Sequence, residues 1–487
     1  MNGPGTPEQA SLLDAQRAEG YLRQRAGEEL AEASSLAQVQ VTADDRATTA
    51  KACLARTGAL AGALAAVGAI PETAAVGVLD DLGKALVQRG LLPAAELPAG
   101  PAPDPPRRPD TPSCQPDTVR AFPAGVTVEC EIDGFGFPLR VRLGALVTDG
   151  QSARITWRAD YTDPQLTGPE AWRQGPDPWV ALRGVTAADD LGGSYQGAGW
   201  TYFGGAGVRR ECGYFCWAGW SRLDAAPPEE ARWLEVTLAG RAPVRIEMDR
   251  ARELAVTVAA LDPAGAADRY LDAGSVTLLA GDLVERAGMR PLSTLVIAAD
   301  LLAAGVLPPG DPALARLAAV ARRRGMVLPG QLAAILPAPL PGDWALLADR
   351  IGSEQGASGV VFAAAVLPEV DGVHCIITEI ASRPDITTLR VFAPAWPLID
   401  HHGTPPRDDR FVWGARDDLG RRYAASTYTG GGGIGGAEFP LRLHPPVSPQ
   451  ARELEITLAG PTAQGSVRVP LYWQNDDWES DLPDWRA

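Results

Sequence analysis

The sequence predicts an α+β multidomain chain in which a small helical unit followed by an antiparallel β-sandwich occurs twice, a tandem duplication. Three observations carry this. "ARWLEVTLAG" at 231–240 returns as "ARELEITLAG" at 451–460, with eight of ten positions identical and an offset of 220 residues. "AADDLGGSY" at 187–195 returns as "ARDDLGRRY" at 415–423. "LGKALVQRGLLPAAEL" at 82–97 lines up with "LAAVARRRGMVLPGQL" at 317–332 on Arg-Gly, a few apolar residues, Pro and Leu.

The elements follow in chain order. Residues 1–97 form an N-terminal helical unit. Residues 98–117, "PAGPAPDPPRRPDTPSCQPD", hold Pro at a density that favours extended polyproline and reads as a semi-rigid linker. Residues 118–255 form the first sandwich. In the twin strands Val236 and Leu238, or Ile456 and Leu458, alternate with Glu235 and Thr237, or Glu455 and Thr457, the period of a sheet with one buried face. The segments 144–157 and 364–378 also align, at an offset near 220, as strand, turn and strand. Residues 260–350 repeat the helical unit. In "RPLSTLVIAADLLAAGVL" apolar residues recur every three or four positions, and Gly305 with Pro308 supplies the stop. The second sandwich spans 355–473, and 474–487 is an acidic tail carrying Trp478 and Trp485. Short strands between Gly- and Pro-rich turns, about 120 residues per copy, suggest an immunoglobulin-like sandwich.

Asp-Asp-Leu-Gly followed closely by Tyr, then a Gly-rich turn and a closing apolar strand, resembles the immunoglobulin-like domains of uncharacterised actinobacterial proteins. It more faintly resembles those attached to bacterial anti-sigma-type regulators. The likeness covers the sandwich regions alone and brings no catalytic residues with it.

With 44 Lys and Arg against 60 Asp and Glu, the formal charge is −16. That field repels phosphate backbones and anionic lipid, so neither nucleic acid nor a membrane is an expected partner. No secretory signal is visible, and the six Cys lack the dense spacing of a disulfide framework, so a cytoplasmic location with reduced thiols is expected.

Each motif has a chemical and a structural reading. Asp189 and Asp190, with Asp417 and Asp418, could be paired carboxylates for a metal or for acid-base work. As turn residues they bond their own backbone, Gly192 and Gly420 supply positive φ, and Tyr195 and Tyr423 follow; the turn is the expected role. The Gly-rich loops lack a P-loop ending and read as hairpin tips. Cys212 and Cys216 are two thiols without the partners that complete a zinc site, and His401 and His402, adjacent on an extended segment, point to opposite faces. No metal, no cofactor and no catalytic residue is expected. The leading expectation is a non-enzymatic interaction or scaffold protein whose partner is another protein, with Trp478 and Trp485 as candidate docking anchors. The alternative is a protein that binds a carbohydrate or another stackable polar ligand on Trp200, Tyr202, Trp217 and Trp220.

Overall fold

The computed structural model describes residues 7–37, 42–93, 119–130, 139–162, 185–204, 214–238, 243–248, 254–280, 291–337, 339–351, 353–394, 411–427, 431–433 and 436–474. The linker at 98–117, the His401 and His402 loop, Cys212, and Trp478 and Trp485 in the tail lie outside the described residues.

Three helices open the chain: α1 (Pro7–Ala37), α2 (Ala43–Ala66) and α3 (Glu72–Gln88). After the first sheet come α4 (Pro263–Ala280), α5 (Pro291–Ala303), α6 (Pro312–Arg323), the short α7 (Gly330–Ala333) and α8 (Gly342–Arg350). Asp311 begins α6 by accepting from the Ala313 N–H at 2.8 Å, with Pro312 in the first turn where its missing N–H costs nothing. Gly90 after α3 and Gly325 after α6 both take positive φ, and the next N–H reaches back to the helix, Leu91 to Leu86 and Met326 to Ala321. The two helical stretches share one core. Leu22, Leu64 and Leu86 pack in the same cluster as Leu271, Leu301 and Leu317, and Tyr21 on α1 donates to Asp300 on α5 at 2.7 Å.

Between and after the helices lie two antiparallel sheets. The first runs β1 (Arg120–Cys130), β2 (Leu139–Thr148), β3 (Ala153–Thr162), β4 (Thr186–Asp189), β5 (Ser194–Gly204), β6 (Tyr214–Leu223), β7 (Trp233–Thr237) and β8 (Val244–Glu247). Its spatial order is β1-β2-β3-β6-β5-β4-β7-β8. β9 (Val256–Ala260) comes next along the chain but joins the second sheet. That sheet holds β10 (Gly359–Val366), β11 (Ile376–Ser382), β12 (Thr387–Ala393), β13 (Val412–Asp417), β14 (Arg422–Thr427), β15 (Gly431–Gly433), β16 (Gly436–His444), β17 (Glu453–Ala459) and β18 (Ala463–Pro470). Its order is β10-β11-β12-β16-β14-β13-β17-β18-β9, with β15 beside β16.

The two orders match strand for strand, apart from the added β9 and β15. In each, one strand serves two layers: β5 pairs with β4 at its start and β6 beyond, and β14 pairs with β13 and then β16. The layers enclose a core, Phe122, Ile155 and Trp157 meeting Leu234, Val236 and Ile246 in the first, and Ile377, Leu389 and Val391 meeting Leu454, Ile456 and Val467 in the second. Even the irregularities correspond. β1 bulges between Pro123 and Val126 with Gly125 at φ 61°, and β10 bulges between Phe362 and Ala365 with Ala364 at φ 43°.

Position in the sheet corrects one alignment. The hairpin at 144–157 is β2 and β3, which corresponds to β11 and β12, whereas 364–378 is the β10–β11 hairpin. A Gly- or Asp-containing turn between apolar strands is common to all these hairpins, so that pattern does not fix which one is which.

The two sheets meet face to face. Ala145, Val147 and Trp220 pack against Ala364, Ile376 and Phe392, and the Trp220 and Phe392 rings meet edge to face at 5.3 Å. At this joint the buried Arg142 on β2 lies 3.9 Å from the buried Glu379 on β11.

Candidate functional site

The Asp-Asp-Leu-Gly motifs are wired alike in both sandwiches. Asp189 Oδ1 accepts from the N–H groups of Leu191 (2.9 Å) and Gly193 (2.7 Å), while Oδ2 accepts from the Tyr195 hydroxyl. Asp417 Oδ1 accepts from Leu419 (3.1 Å) and Arg421 (2.8 Å), and Oδ2 from the Tyr423 hydroxyl (2.7 Å). Gly192 and Gly420 take φ of 90° and 78°, as the turn requires. The second Asp of each pair ties the turn to the repeated strand. Asp190 accepts from the Arg232 N–H and Asp418 from the Arg452 N–H, both at 2.9 Å, which begins "ARWLEVTLAG" and "ARELEITLAG" respectively. Those bonds hold the Asp190 and Asp418 carboxyls below the usual carboxylate range. Burial raises the Tyr195 and Tyr423 hydroxyls, and the carboxylate each faces raises them further. Both oxygens of Asp189 and of Asp417 are thus engaged by their own turn and its Tyr.

The aromatic surface is corrected. Trp217 is 9% exposed and packs in the first core, and Trp220, 1% exposed, packs in the joint between the sheets. Their odd spacing on β6 sends the two rings to opposite faces, so they form no stacking platform. Trp200 and Tyr202 lie on β5, in register with Ser221 and Gly219. Cys216 is on β6, opposite Asp160 in register. Cys53, Cys130 and Cys375 are buried. Among the described residues no group of three or more His, Cys, Asp or Glu is placed to hold a metal, and no helix is long and apolar enough to cross a membrane.

A cavity of about 390 Å³ lies where α4 crosses the outer face of the second sandwich. Strand alternation builds its floor: Gly414 and Arg416 on β13, Glu455 and Thr457 on β17, Gln464 and Ser466 on β18, and Thr257 on β9. Gly414 stands opposite Thr457, Thr457 opposite Ser466, and Ser466 opposite Thr257, so four strands present one polar row. Arg269, Asp272, Ala273 and Val276, spaced three or four apart on α4, form the facing wall. A Cβ built on Gly414 would meet nothing within 4 Å, so the floor has open space above it there.

Charge around the cavity is largely matched. Asp343, on α8, accepts from Arg416 at 2.8 Å and Arg422 at 2.9 Å. Asp272 is bonded to Arg316 and lies 3.6 Å from Arg422; burial nonetheless holds its carboxyl above the usual range. The Trp344 ring receives both guanidiniums, Arg316 at 5.4 Å and Arg422 at 5.1 Å. Two groups stand outside this network. Arg269 has no hydrogen-bond or ion-pair partner among the described residues, and the buried Gln464 Oε1 accepts no hydrogen bond. Buried polar atoms are rarely left unpaired, which makes the cavity the strongest candidate for a binding site.

No family model matches the chain. No curated protein matches it either. A solved structure described as the conserved domain protein from Bacillus anthracis is similar over 69% of this chain and 77% of that chain, at 9% identity and a TM-score of 0.15. Likeness at that level carries no argument about fold or role.

Proposed function

We propose that the protein is a non-enzymatic binding protein, a tandem duplication of a helical unit and an immunoglobulin-like sandwich, whose second copy holds a small polar molecule in the cavity under α4. The observation that carries this is the polar floor roofed by a helix with open space over Gly414. The matching strand orders and the matching Asp-Tyr turns support the duplication. The test is equilibrium dialysis of the wild type and Gly414→Leu against a metabolite extract, with retained molecules identified by mass spectrometry. A leucine there extends into the cavity and suits a strand. The wild type should retain a small molecule that the variant loses while its melting temperature holds. Equal retention by both, or none by either, would overturn the reading.

A second reading, a scaffold for another protein, is favoured by one observation. The turns that Asp189 and Asp417 fix present Leu191 and Leu419 to solvent, 57% and 49% exposed, at corresponding tips. Two equivalent apolar tips on one chain suit a bivalent contact. Serine at both tips should abolish capture of that protein with stability unchanged, and undiminished capture would remove the reading.

A further inference from the structure

We propose that the molecule in the cavity is a polyhydroxylated monocarboxylate of monosaccharide size, its carboxylate held by Arg269 and its hydroxyls by the Thr457 and Ser466 row of the floor; this rests on the binding reading above. The chemistry follows from which groups are already satisfied. Asp343 serves Arg416 and Arg422, Arg316 sits between Asp268 and Asp272, and Glu455 accepts from Ser466 at 3.1 Å with the Arg468 Nε 4.0 Å away. Arg269 is then the guanidinium at the cavity with no counter-charge among the described residues. In a chain of net charge −16, a positive group left over at a cavity selects an anion against the general field. A guanidinium fork matches the two oxygens of a carboxylate.

One unmatched positive charge balances one negative charge. A phosphate dianion would bring a second negative charge toward Asp272 and Glu455, which border the same space. The floor sets the remaining requirement. Thr457, Ser466 and Thr257 line it with hydroxyls, so a ligand that reaches the floor must itself carry hydroxyls to pair with them. A plain fatty or aromatic acid carries none. A volume of about 390 Å³ lies at the small end of ligand sites, suited to a six-carbon acid.

Isothermal titration calorimetry of the full chain with glucuronate, glucose and glucose 6-phosphate, on the wild type, Arg269→Gln and Gly414→Leu, tests this. Glucuronate should bind the wild type, about 30-fold more weakly to R269Q, the loss expected for a charge-assisted hydrogen-bonded pair, and not measurably to G414L. Glucose should bind weakly and equally to the wild type and R269Q. Equal affinity for glucuronate and glucose, with R269Q unaffected and G414L inactive, would overturn the carboxylate assignment and leave the cavity reading standing. Tighter binding of glucose 6-phosphate than of glucuronate would overturn the monoanion argument. No heat from any of the three would overturn the ligand class, while the dialysis comparison decides the cavity reading separately.

Discussion

The two sandwiches share a strand order and a turn but face different surroundings. On the second, α4 packs on β13 and β14 with α8 beside it on β14, and β9 extends the layer β13-β17-β18. On the first, the corresponding layer β4-β7-β8 ends at β8, with Ala188 and Arg245 exposed and Trp233 half-buried under the Arg245 guanidinium at 4.8 Å. The strands that make a cavity floor in one sheet make an outer surface in the other. A sheet therefore supplies a polar row wherever residues alternate, and only what packs over that row turns it into a site. Gly414 shows this locally. Counting back three residues from the turn Asp, the first sheet has Thr186 there, which leaves less room above it.

The largest expected effect tests whether the shared turn bears equal weight in both settings. Asp417→Ala leaves two backbone N–H groups and the Tyr423 hydroxyl without an acceptor, and Tyr423 lies buried under the Arg350 guanidinium. It should cost about 4 kcal/mol in urea unfolding, and Asp189→Ala roughly half as much, because Tyr195 sits nearer solvent. Equal losses would mean that the helical cover adds nothing to the turn.

Between about pH 4.5 and 8 a pH effect should arise in the second sheet. Burial pushes the Glu438 carboxyl on β16 up to about 7, against the pull of Arg390 at 2.8 Å, whereas β6, the corresponding strand, carries no carboxylate. A raised carboxyl pKa means that the folded state binds a proton which the unfolded chain has released. This stabilisation is complete below about pH 4.5 and is lost as pH rises to about 7. Glu438→Gln should be insensitive to that loss, so its stability relative to the wild type should grow by roughly 3 kcal/mol between pH 4.5 and pH 8. A constant difference across that range would break the assignment.

The smallest effects exchange the two bulges. A Cβ on Gly125 would come within 3.0 Å of the Phe362 ring, and the positive φ adds strain, so Gly125→Ala should cost roughly 1–2 kcal/mol. Ala364 already bears positive φ, and Ala364→Gly should gain about 0.5 kcal/mol by relieving it. Thermal unfolding of both variants checks the pair, and effects of the same sign would separate the two bulges.

The fold was legible where the signal is local. Alternation in "LEVTLAG" and "LEITLAG" places β7 and β17, and the Asp, Gly and Tyr of the turn serve the backbone roles their side chains suggest. The single helical core was not legible, because an amphipathic face says that a partner exists without naming it. β9 was missed altogether. "VTVAA" is a short run at the edge of a sheet, and its pairing partner β18 lies some two hundred residues further on. The cavity had only faint signals. Arg269 and Asp272 share a face with Val276 on α4, an irregular placement for a buried helix side, and Gly414 interrupts a strand. Thr457 and Glu455 read correctly as outward and polar, but no spacing within β17 shows that a helix stands over them. Trp217 and Trp220 misled because Trp so often combines burial with a polar edge.

The shared helical core also has a timetable. α1, α2 and α3 leave the ribosome first, with Leu64, Leu82 and Leu86 turned toward a core whose other half is unmade. About 170 residues separate Leu92 from Pro263, where α4 begins. At common rates of synthesis that takes on the order of ten to thirty seconds. Throughout that wait the first sheet can close on local hairpins, whereas the first three helices must keep an apolar face from every other nascent chain nearby. The first fifth of the chain is thus the segment for which a chaperone, or rapid translation of the first sheet, matters most.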